Sequence, residues 1–341
     1  MSLDRYACQV RLARVGAAGQ RRLAEATAVV VGVGATGSVI AESLARAGVG
    51  RLRLVDRDVL ELSNLARQTL YDEADVAEAL PKAEAARRRL ARVNGAVALE
   101  ARVADVEART VRGLLEGADV VLDGTDNFLT RFVLNDACLA QGTPWVYAGV
   151  VGTTVHGFPV VPGATPCFRC YLEAPPPPGA VETCETAGVL GAAVQVCGGL
   201  AAAEGIKLLL GQGDQAATGL LTLDVWTRDS RRLGLTRWPD CPACAGRYEF
   251  LEGSAATAEL CGQDAVAVRA PRPDARVDLA AVAARLEPLG RIEARNAFLI
   301  RFAPREPADV VVTLFCDGRA LVKGTRDPAF ARTVVARFVG G

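Results

Sequence analysis

Four cysteines stand in two pairs of one spacing, Cys167-Phe-Arg-Cys170 and Cys241-Pro-Ala-Cys244. Two such units can close a tetrahedral thiolate cage around zinc, each giving two sulfurs from one tight turn. With 70 residues between them, the cage would clasp distant segments. Independent redox pairs or buried thiols are the alternative; the turn residues around both units favour the metal. Four thiolates leave no open position, so such a Zn²⁺ is structural. A second constellation is Gly32-Val33-Gly34-Ala35-Thr36-Gly37. Its glycines permit a tight turn and a close approach of backbone N–H groups to phosphate, and a helix N-terminus adds partial positive charge. Asp56 lies 24 residues after Gly32, a position that suits a carboxylate bonding ribose hydroxyls. The glycine pattern alone fits a nicotinamide cofactor or ATP equally.

A third set is polar: Asp58, Ser63, Asn64, Arg67, Gln68, Lys82, Asp126 and Asn127. Asp126 can hold Mg²⁺ through oxygen. Arg67 and Lys82 can neutralise a triphosphate. Singly, each has a plainer reading, with Arg67 and Lys82 as solvated charges and Asn127 as a helix N-cap.

The elements that must position these residues alternate. Ala28–Val33, Leu52–Val55, Val97–Val103, Asp119–Asp123 and Pro144–Tyr147 read as strands. Ala35–Ala47, Lys82–Val93, Val106–Leu115 and Phe128–Ala140 read as helices. That rhythm predicts an α/β fold with a doubly wound, mostly parallel sheet, and the polar set falls at the carboxyl ends of its strands, where such sheets bind ligands. Val150–Val161 and Gly219–Trp226 are β-rich, and four prolines, Pro175 to Pro178, form an extended connection. Val189–Leu210 is a nearly uncharged helix, expected in a core or at a subunit interface. A composition break near residues 246–258 divides the chain into an expected 1–246 domain and a small α+β domain over 259–341.

The 341 residues carry 39 basic and 39 acidic side chains. This balance argues against a nucleic-acid coat. No run suggests a membrane span or a signal peptide, so a cytoplasmic protein is expected. Ten cysteines then point to metal or thiol chemistry rather than a disulfide framework. A single histidine, His156, argues against mechanisms built on a histidine dyad and reads as structural.

The runs GVGATG, LVDRDVLELSNLARQTLY, PKAEAA, DGTDNFLTRFVLND, PCFRC, ETCETAGV and CPAC together resemble the ThiF/MoeB/HesA family, bacterial relatives of ubiquitin-activating enzymes, over about residues 3–246. The C-terminal part resembles the extra domain of longer members. The resemblance implies a Rossmann-like fold of the ubiquitin-activating type and an adenylyltransferase. Such an enzyme uses Mg-ATP to activate the C-terminal glycine of a ubiquitin-like sulfur carrier ending in Gly-Gly, for thiocarboxylate formation. It further implies a homodimer, and a cysteine desulfurase or other sulfur donor as partner. Thiamin, molybdopterin, tRNA thiolation and cysteine synthesis remain open as pathways. By resemblance, Asp56 is the ribose-binding acid, Asn64, Arg67 and Lys82 the phosphate-binding set, Asp126 the Mg²⁺/ATP aspartate with Asn127 beside it, and the four paired cysteines the zinc site. Cys184 resembles a cysteine that can link covalently to carrier or donor; a small conformational residue is its other reading.

Cys8 stands where the family pattern has an arginine supplied to the neighbouring subunit's ATP. A thiol cannot neutralise phosphate, so Arg5 or Arg11 substitutes or the contribution is lost, at about 2–4 kcal/mol of transition-state stabilisation. The runner-up function is therefore a catalytically weakened nucleotide-binding scaffold that docks a ubiquitin-like partner. Cys8, Cys138, Cys197, Cys261 and Cys316 are expected as buried small hydrophobes. The terminal Gly340-Gly341 matches the ending of such carriers and of ordinary chain ends alike.

Overall fold

A strand whose residues are apolar on both faces has no face to give to water. Ala28–Val31, Ala-Val-Val-Val, is such a run, and with Thr27 it forms β1 inside a sheet, its last four residues buried. We analysed a computed structural model of the chain, which describes residues 3–177, 179–183, 186–216, 218–252, 260–261, 265–268 and 276–339. The chain divides into two compact units, Met1–Glu73 with Pro81–Ala255, and Ala74–Leu80 with Ala256–Gly341.

In the first unit, α1 (Ala7–Val10) and α2 (Gly16–Glu25) precede β1, α3 (Ala35–Ala47) and β2 (Arg51–Val55). A short helix, α4 (Glu73–Ala77), spans the boundary between the units. Then come α5 (Lys82–Val93), β3 (Ala98–Arg102), α6 (Val111–Leu115), β4 (Val120–Asp123), α7 (Phe128–Gln141) and β5 (Trp145–Val151). The unit is completed by β6 (Thr154–Val160), α8 (Phe168–Tyr171), α9 (Gly191–Leu209), β7 (Leu220–Asp224) and β8 (Ser230–Leu233). The strands form one sheet in the order β3-β2-β1-β4-β5-β6-β7-β8. Its first five strands are mutually parallel and the pairs from β5 to β8 antiparallel. The mostly parallel α/β architecture expected from the sequence is therefore present, with an antiparallel extension.

Helix α9 is long and apolar enough to cross a membrane by length and composition alone. It packs instead against α3, β4, β5 and β6. Its glycines allow that approach: a Cβ on Gly198 would lie 2.5 Å from Val39 Cβ, and one on Gly205 2.8 Å from Leu122 Cδ1. One sequence expectation needs correction. The helix expected over Val106–Leu115 begins only at Val111. The Thr110 hydroxyl donates to Asp105 O and accepts from Glu107 N, which closes residues 105–110 into a side-chain-stapled turn. The exposed Ser-Arg-Arg-Leu strand β8 carries no apolar alternation and was not foreseen.

The second unit has β9 (Leu260–Cys261), β10 (Ala265–Val268), α10 (Leu279–Leu286), β11 (Gly290–Arg295), β12 (Leu299–Pro304), β13 (Val311–Phe315), β14 (Ala320–Lys323) and α11 (Pro328–Val339). Its antiparallel sheet runs β11-β12-β13-β14-β10-β9. Leu279, Val282, Ala283 and Leu286, at helical spacing, join Phe302, Leu314 and Val322 of the sheet and Phe338 of α11 in one core. The expectation of a small α+β fold is met here.

Candidate active site and metal centre

Gly32, at φ 76°, ends β1 and turns the chain into α3. A Cβ on Gly32 would lie 2.9 Å from Gly124 O, and one on Gly37 1.7 Å from Gly32 O. These glycines therefore let the turns after β1 and β4 pack backbone against backbone. Gly34 differs: its Cβ would meet only Gln68 Nε2, at 3.7 Å. It leaves open room at the N-terminus of α3, which starts at Ala35. Gln68 is buried, and its Oε1 has no hydrogen-bond partner among the described residues. A buried acceptor left unpaired is costly, which singles Gln68 out for explanation.

Asp56 follows β2 and is buried. Its Oδ2 accepts from Val33 N and its Oδ1 from Asp58 N, both at 2.8 Å. The acid thus ties the glycine turn to the end of β2. Burial pushes its carboxyl up to about 6, opposed by the charge of Lys82, aided by that of Asp58, and opposed again by the two backbone N–H groups. Lys82 opens α5, its backbone N–H donating to Asp58 O and its Nζ pairing with Asp58 Oδ2 at 2.9 Å. Burial works against the ammonium, but Asp58 and Asp56 outweigh it and hold its pKa above the ordinary lysine value. Asp126 adds to that field. The structure thus brings Asp56, Asp58, Lys82 and Asp126 into one electrostatic cluster.

Asn64 is buried in the short helical turn Leu62–Asn64, its Oδ1 accepting from Glu61 N. Arg67 donates to Ser63 O at 3.0 Å, and Ser63 itself is exposed. Gly191, the first residue of α9, approaches the same segment: its Cβ would lie 3.2 Å from Ala66 O. Asp126 is exposed after β4, while Asn127 caps α7 by accepting from Thr130 N. The helix N-cap read from the sequence for Asn127 is thus present.

Two residues of this site were not singled out by sequence. Tyr71 is buried, and its hydroxyl donates to Val33 O at 2.5 Å and lies 3.3 Å from Lys82 O. It links the glycine turn to the start of α5. Arg131 lies on the inner face of α7, paired with the fully buried Asp123 at 2.9 Å. Its guanidinium also donates to Thr125 O and Ala148 O and stacks on Tyr147, 5.0 Å from the ring centre. Asp123 in turn accepts from Thr125 N and Oγ1. Arg131 thereby fixes the turn that presents Asp126. The available signal was a cation between Phe128 and Phe132, since a charge on an apolar helix face must be paired.

The four paired cysteines come together. Cys167 Sγ lies 3.8 Å from Cys170 Sγ and 3.6 Å from Cys241 Sγ, and Cys170 Sγ lies 3.6 Å from Cys244 Sγ. All four sulfurs fall within 4.8 Å of one another. Zinc–sulfur bonds of about 2.3 Å give a tetrahedron with edges of about 3.8 Å. The cage therefore has the size for that ion. Helix α7 supports both halves of the clasp: Asn135 Oδ1 accepts from Phe168 N and Asp136 Oδ2 from Phe250 N. Phe168 adds an edge contact to Phe132 at 5.3 Å.

Cys138 and Cys197 are buried as expected, whereas Cys316 is half-buried and Cys8 is exposed on α1, corrections to their assignment as core thiols. The turn before α1 buries Tyr6, and Gln9 donates to Gln20 Oε1 and Ala47 O, leaving position 8 outward. Arg5 donates to Val93 O and Arg11 is exposed. His156 on β6 faces Thr222 of β7, and burial lowers its pKa. Cys184, the Cys261 side chain and Gly340-Gly341 lie outside the described residues.

A protein-family model, that of the ThiF family, matches residues 6–243. The chain is 39% identical to the sulfur carrier protein ThiS adenylyltransferase of Bacillus subtilis, over 98% of this chain and 99% of that one. It is 42% identical to a sulfur carrier protein adenylyltransferase of Thermus thermophilus, over 71% of this chain and 90% of that one. Among solved structures, E. coli MccB with MccA-N7isoASN superposes with a TM-score of 0.62 at 22% identity, covering 72% of this chain and 75% of that one. With a family model spanning most of its length and a relative aligned nearly end to end, the chain belongs to the ThiF family.

Proposed function

We propose that the protein is an ATP-dependent adenylyltransferase that activates the C-terminal glycine of a ubiquitin-like sulfur carrier. One observation carries this reading. The residues that close on the carboxyl ends of β1, β2 and β4 are an open glycine turn, an unsatisfied buried acceptor on Gln68, and the Asp56–Asp58–Lys82–Asp126 cluster. These are the parts needed to hold a nucleoside triphosphate: acceptors for hydroxyl or amino donors, open backbone for phosphate, and a cation within a carboxylate field.

A carboxylate is a poor acyl donor because its leaving group is oxide. In the proposed reaction a carrier carboxylate oxygen attacks the α-phosphorus, the α–β bridging bond breaks, and pyrophosphate leaves with the electron pair. A sulfur nucleophile then attacks the acyl carbon and AMP leaves. The first nucleophile is already ionised, so the site needs no histidine base. Its work is orientation and charge neutralisation. Asp56 and Gln68 hold the nucleoside, Gly34 and Ala35 N–H groups face phosphate, and Asn64, Arg67 and Lys82 bind the polyphosphate. Mg²⁺, when bound, neutralises phosphate oxygens, and exposed Asp126 supplies an oxygen ligand for it. The ion of the cysteine cage is Zn²⁺, and with four thiolates it is structural. Cys184 is the thiol for a covalent link to carrier or donor, a cysteine desulfurase among the latter.

We further assign a cytoplasmic location and a homodimer. Val196 and Leu200 on α9, with Leu190 before it, expose apolar side chains that a second copy would cover; light scattering at twice the chain mass is the expected reading. ATP–pyrophosphate exchange with Gly-Gly-ended carriers tests the activity. Binding of ATP without exchange in any of them would instead mark a scaffold.

A further inference from the structure

The order of the sheet restricts where a second substrate can enter. In the proposed reaction the nucleoside lies by Asp56 after β2, the phosphates by the turn after β1, and the metal-binding Asp126 after β4. The next strand in the order is β5. A co-substrate that reaches the α-phosphorus past Asp126 comes by the carboxyl end of β5. There β4 and β5 pair at Val121–Trp145 and Leu122–Val146. Beyond those pairs Arg131 spans the two, donating to Thr125 O and Ala148 O. The charge of Asp126, next after Thr125, acts on that guanidinium.

Tyr147 stands at this place with a hydroxyl that the fold does not use. The residue is 4% exposed. Its ring lies 5.3 Å from that of Phe158 and 5.0 Å from that of Phe168, with Arg131 over it. Among the described residues its hydroxyl has no hydrogen-bond partner. A phenylalanine would fill the same space, and a tyrosine buried this deeply ordinarily has a partner for its oxygen. Gly149 lets the hydroxyl lie over β5: a Cβ there would fall 2.9 Å from Tyr147 Oη and 3.6 Å from Arg131 Nη2. Burial pushes the Tyr147 pKa up to about 12, so the group keeps its proton. His156, opposite Gly149 on β6, adds no competing cation, since burial and Arg131 lower its pKa. The end of β5 thus presents an unspent neutral donor beside a guanidinium, a pairing that selects an anionic acceptor.

We propose that the Tyr147 hydroxyl binds the terminal carboxylate of the carrier, donating to the oxygen that does not attack and so holding the other toward the α-phosphorus beside Asp126. This rests on the adenylation reading and adds to it the residue that recognises the acyl substrate.

Tyr147→Phe in the full-length protein keeps the ring contacts and breaks no hydrogen bond among the described residues. Its Tm and its Kd for Mg-ATP should therefore match wild type. In ATP–pyrophosphate exchange with a Gly-Gly-ended carrier, kcat/KM for the carrier should fall about tenfold or more, as for loss of a hydrogen bond to a charged group. Calorimetry gives a second reading, with Mg²⁺ and an ATP analogue whose α–β bridge is methylene. The Kd for the intact carrier should rise about tenfold in Tyr147→Phe. A carrier lacking its last glycine falls short of the hydroxyl and should bind both proteins alike. A carrier kcat/KM, or where no exchange occurs a carrier Kd, within about twofold of wild type would overturn the inference. So would an equal rise in the Kd for Mg-ATP, which would put the hydroxyl on the nucleotide. Wild-type protein that binds a carrier but exchanges with none would overturn the adenylation reading, while the calorimetric comparison still decides on Tyr147. Wild-type protein that binds no Gly-Gly-ended carrier would overturn both.

Discussion

At the scale of single residues, the site depends on charges that are buried and paired. Asp56 titrates near 6 because burial disfavours its ionised form. Above that pH it is a carboxylate accepting from Val33 N and Asp58 N; as pH falls through it, the carboxyl takes a proton and loses acceptor capacity. Mg-ATP affinity should therefore fall on the acid side of about 6. Asp56→Asn should bind weakly throughout and lack that inflection, as calorimetric titrations across this range would record. Arg131 makes a different prediction. Replacing it with Met leaves Asp123 buried without its cation, and urea unfolding should register a loss of about 3–5 kcal/mol. Removing both charges together, with Asp123→Leu added, should cost less than Arg131→Met alone.

Elements turn these residues into a site. The turn between β1 and α3 divides its glycines between packing and binding, and two substitutions separate the roles. Gly37→Ala puts a methyl 1.7 Å from Gly32 O, so thermal unfolding should show a loss of about 3 kcal/mol or more. Gly34→Ala meets only Gln68 Nε2 at 3.7 Å and should fold normally, yet occupy phosphate space and weaken Mg-ATP binding about tenfold or more. Helix α7 works on both of its ends. Its first turn carries Asn127 and Arg131, and Asn135 and Asp136 further along hold the backbone of the two cysteine segments. The four-cysteine cage thus shares a helix with the proposed nucleotide site. Metal analysis should find about one zinc per chain, and Cys241→Ser should lose it and lower the Tm by about 10 °C.

Across the whole molecule, much was legible because it is local. β1 ends in three valines, α3 stops at Gly48 with φ 80°, and each Cys pair fits one turn. The paired cysteines could be matched across the chain because thiolate–metal geometry admits few arrangements. The rest depends on distant partners. Strand β8 is held by pairing with β7 rather than by its own charged sequence. Tyr71 looks like any core tyrosine until Val33 O is placed above its hydroxyl. The grouping of Ala74–Leu80 with residues beyond 255 has no local signature: Asn296, whose amide donates to Glu78 O and Ala79 O, is an ordinary turn residue by sequence. The division of labour among the glycines is equally hidden, because only the neighbouring turn after β4 reveals which of them are crowded.

These scales meet in one chemical claim, that the cluster at the carboxyl ends of β1, β2 and β4 transfers an adenylyl group to a carrier carboxylate. ATP–pyrophosphate exchange with purified protein, Mg²⁺ and a panel of Gly-Gly-ended ubiquitin-like carriers tests it most directly. The account predicts exchange that requires both a carrier and its terminal glycine, and that falls at least about a hundredfold in Lys82→Ala. Tight ATP binding without exchange in any carrier, or exchange that persists undiminished in Lys82→Ala, would contradict it.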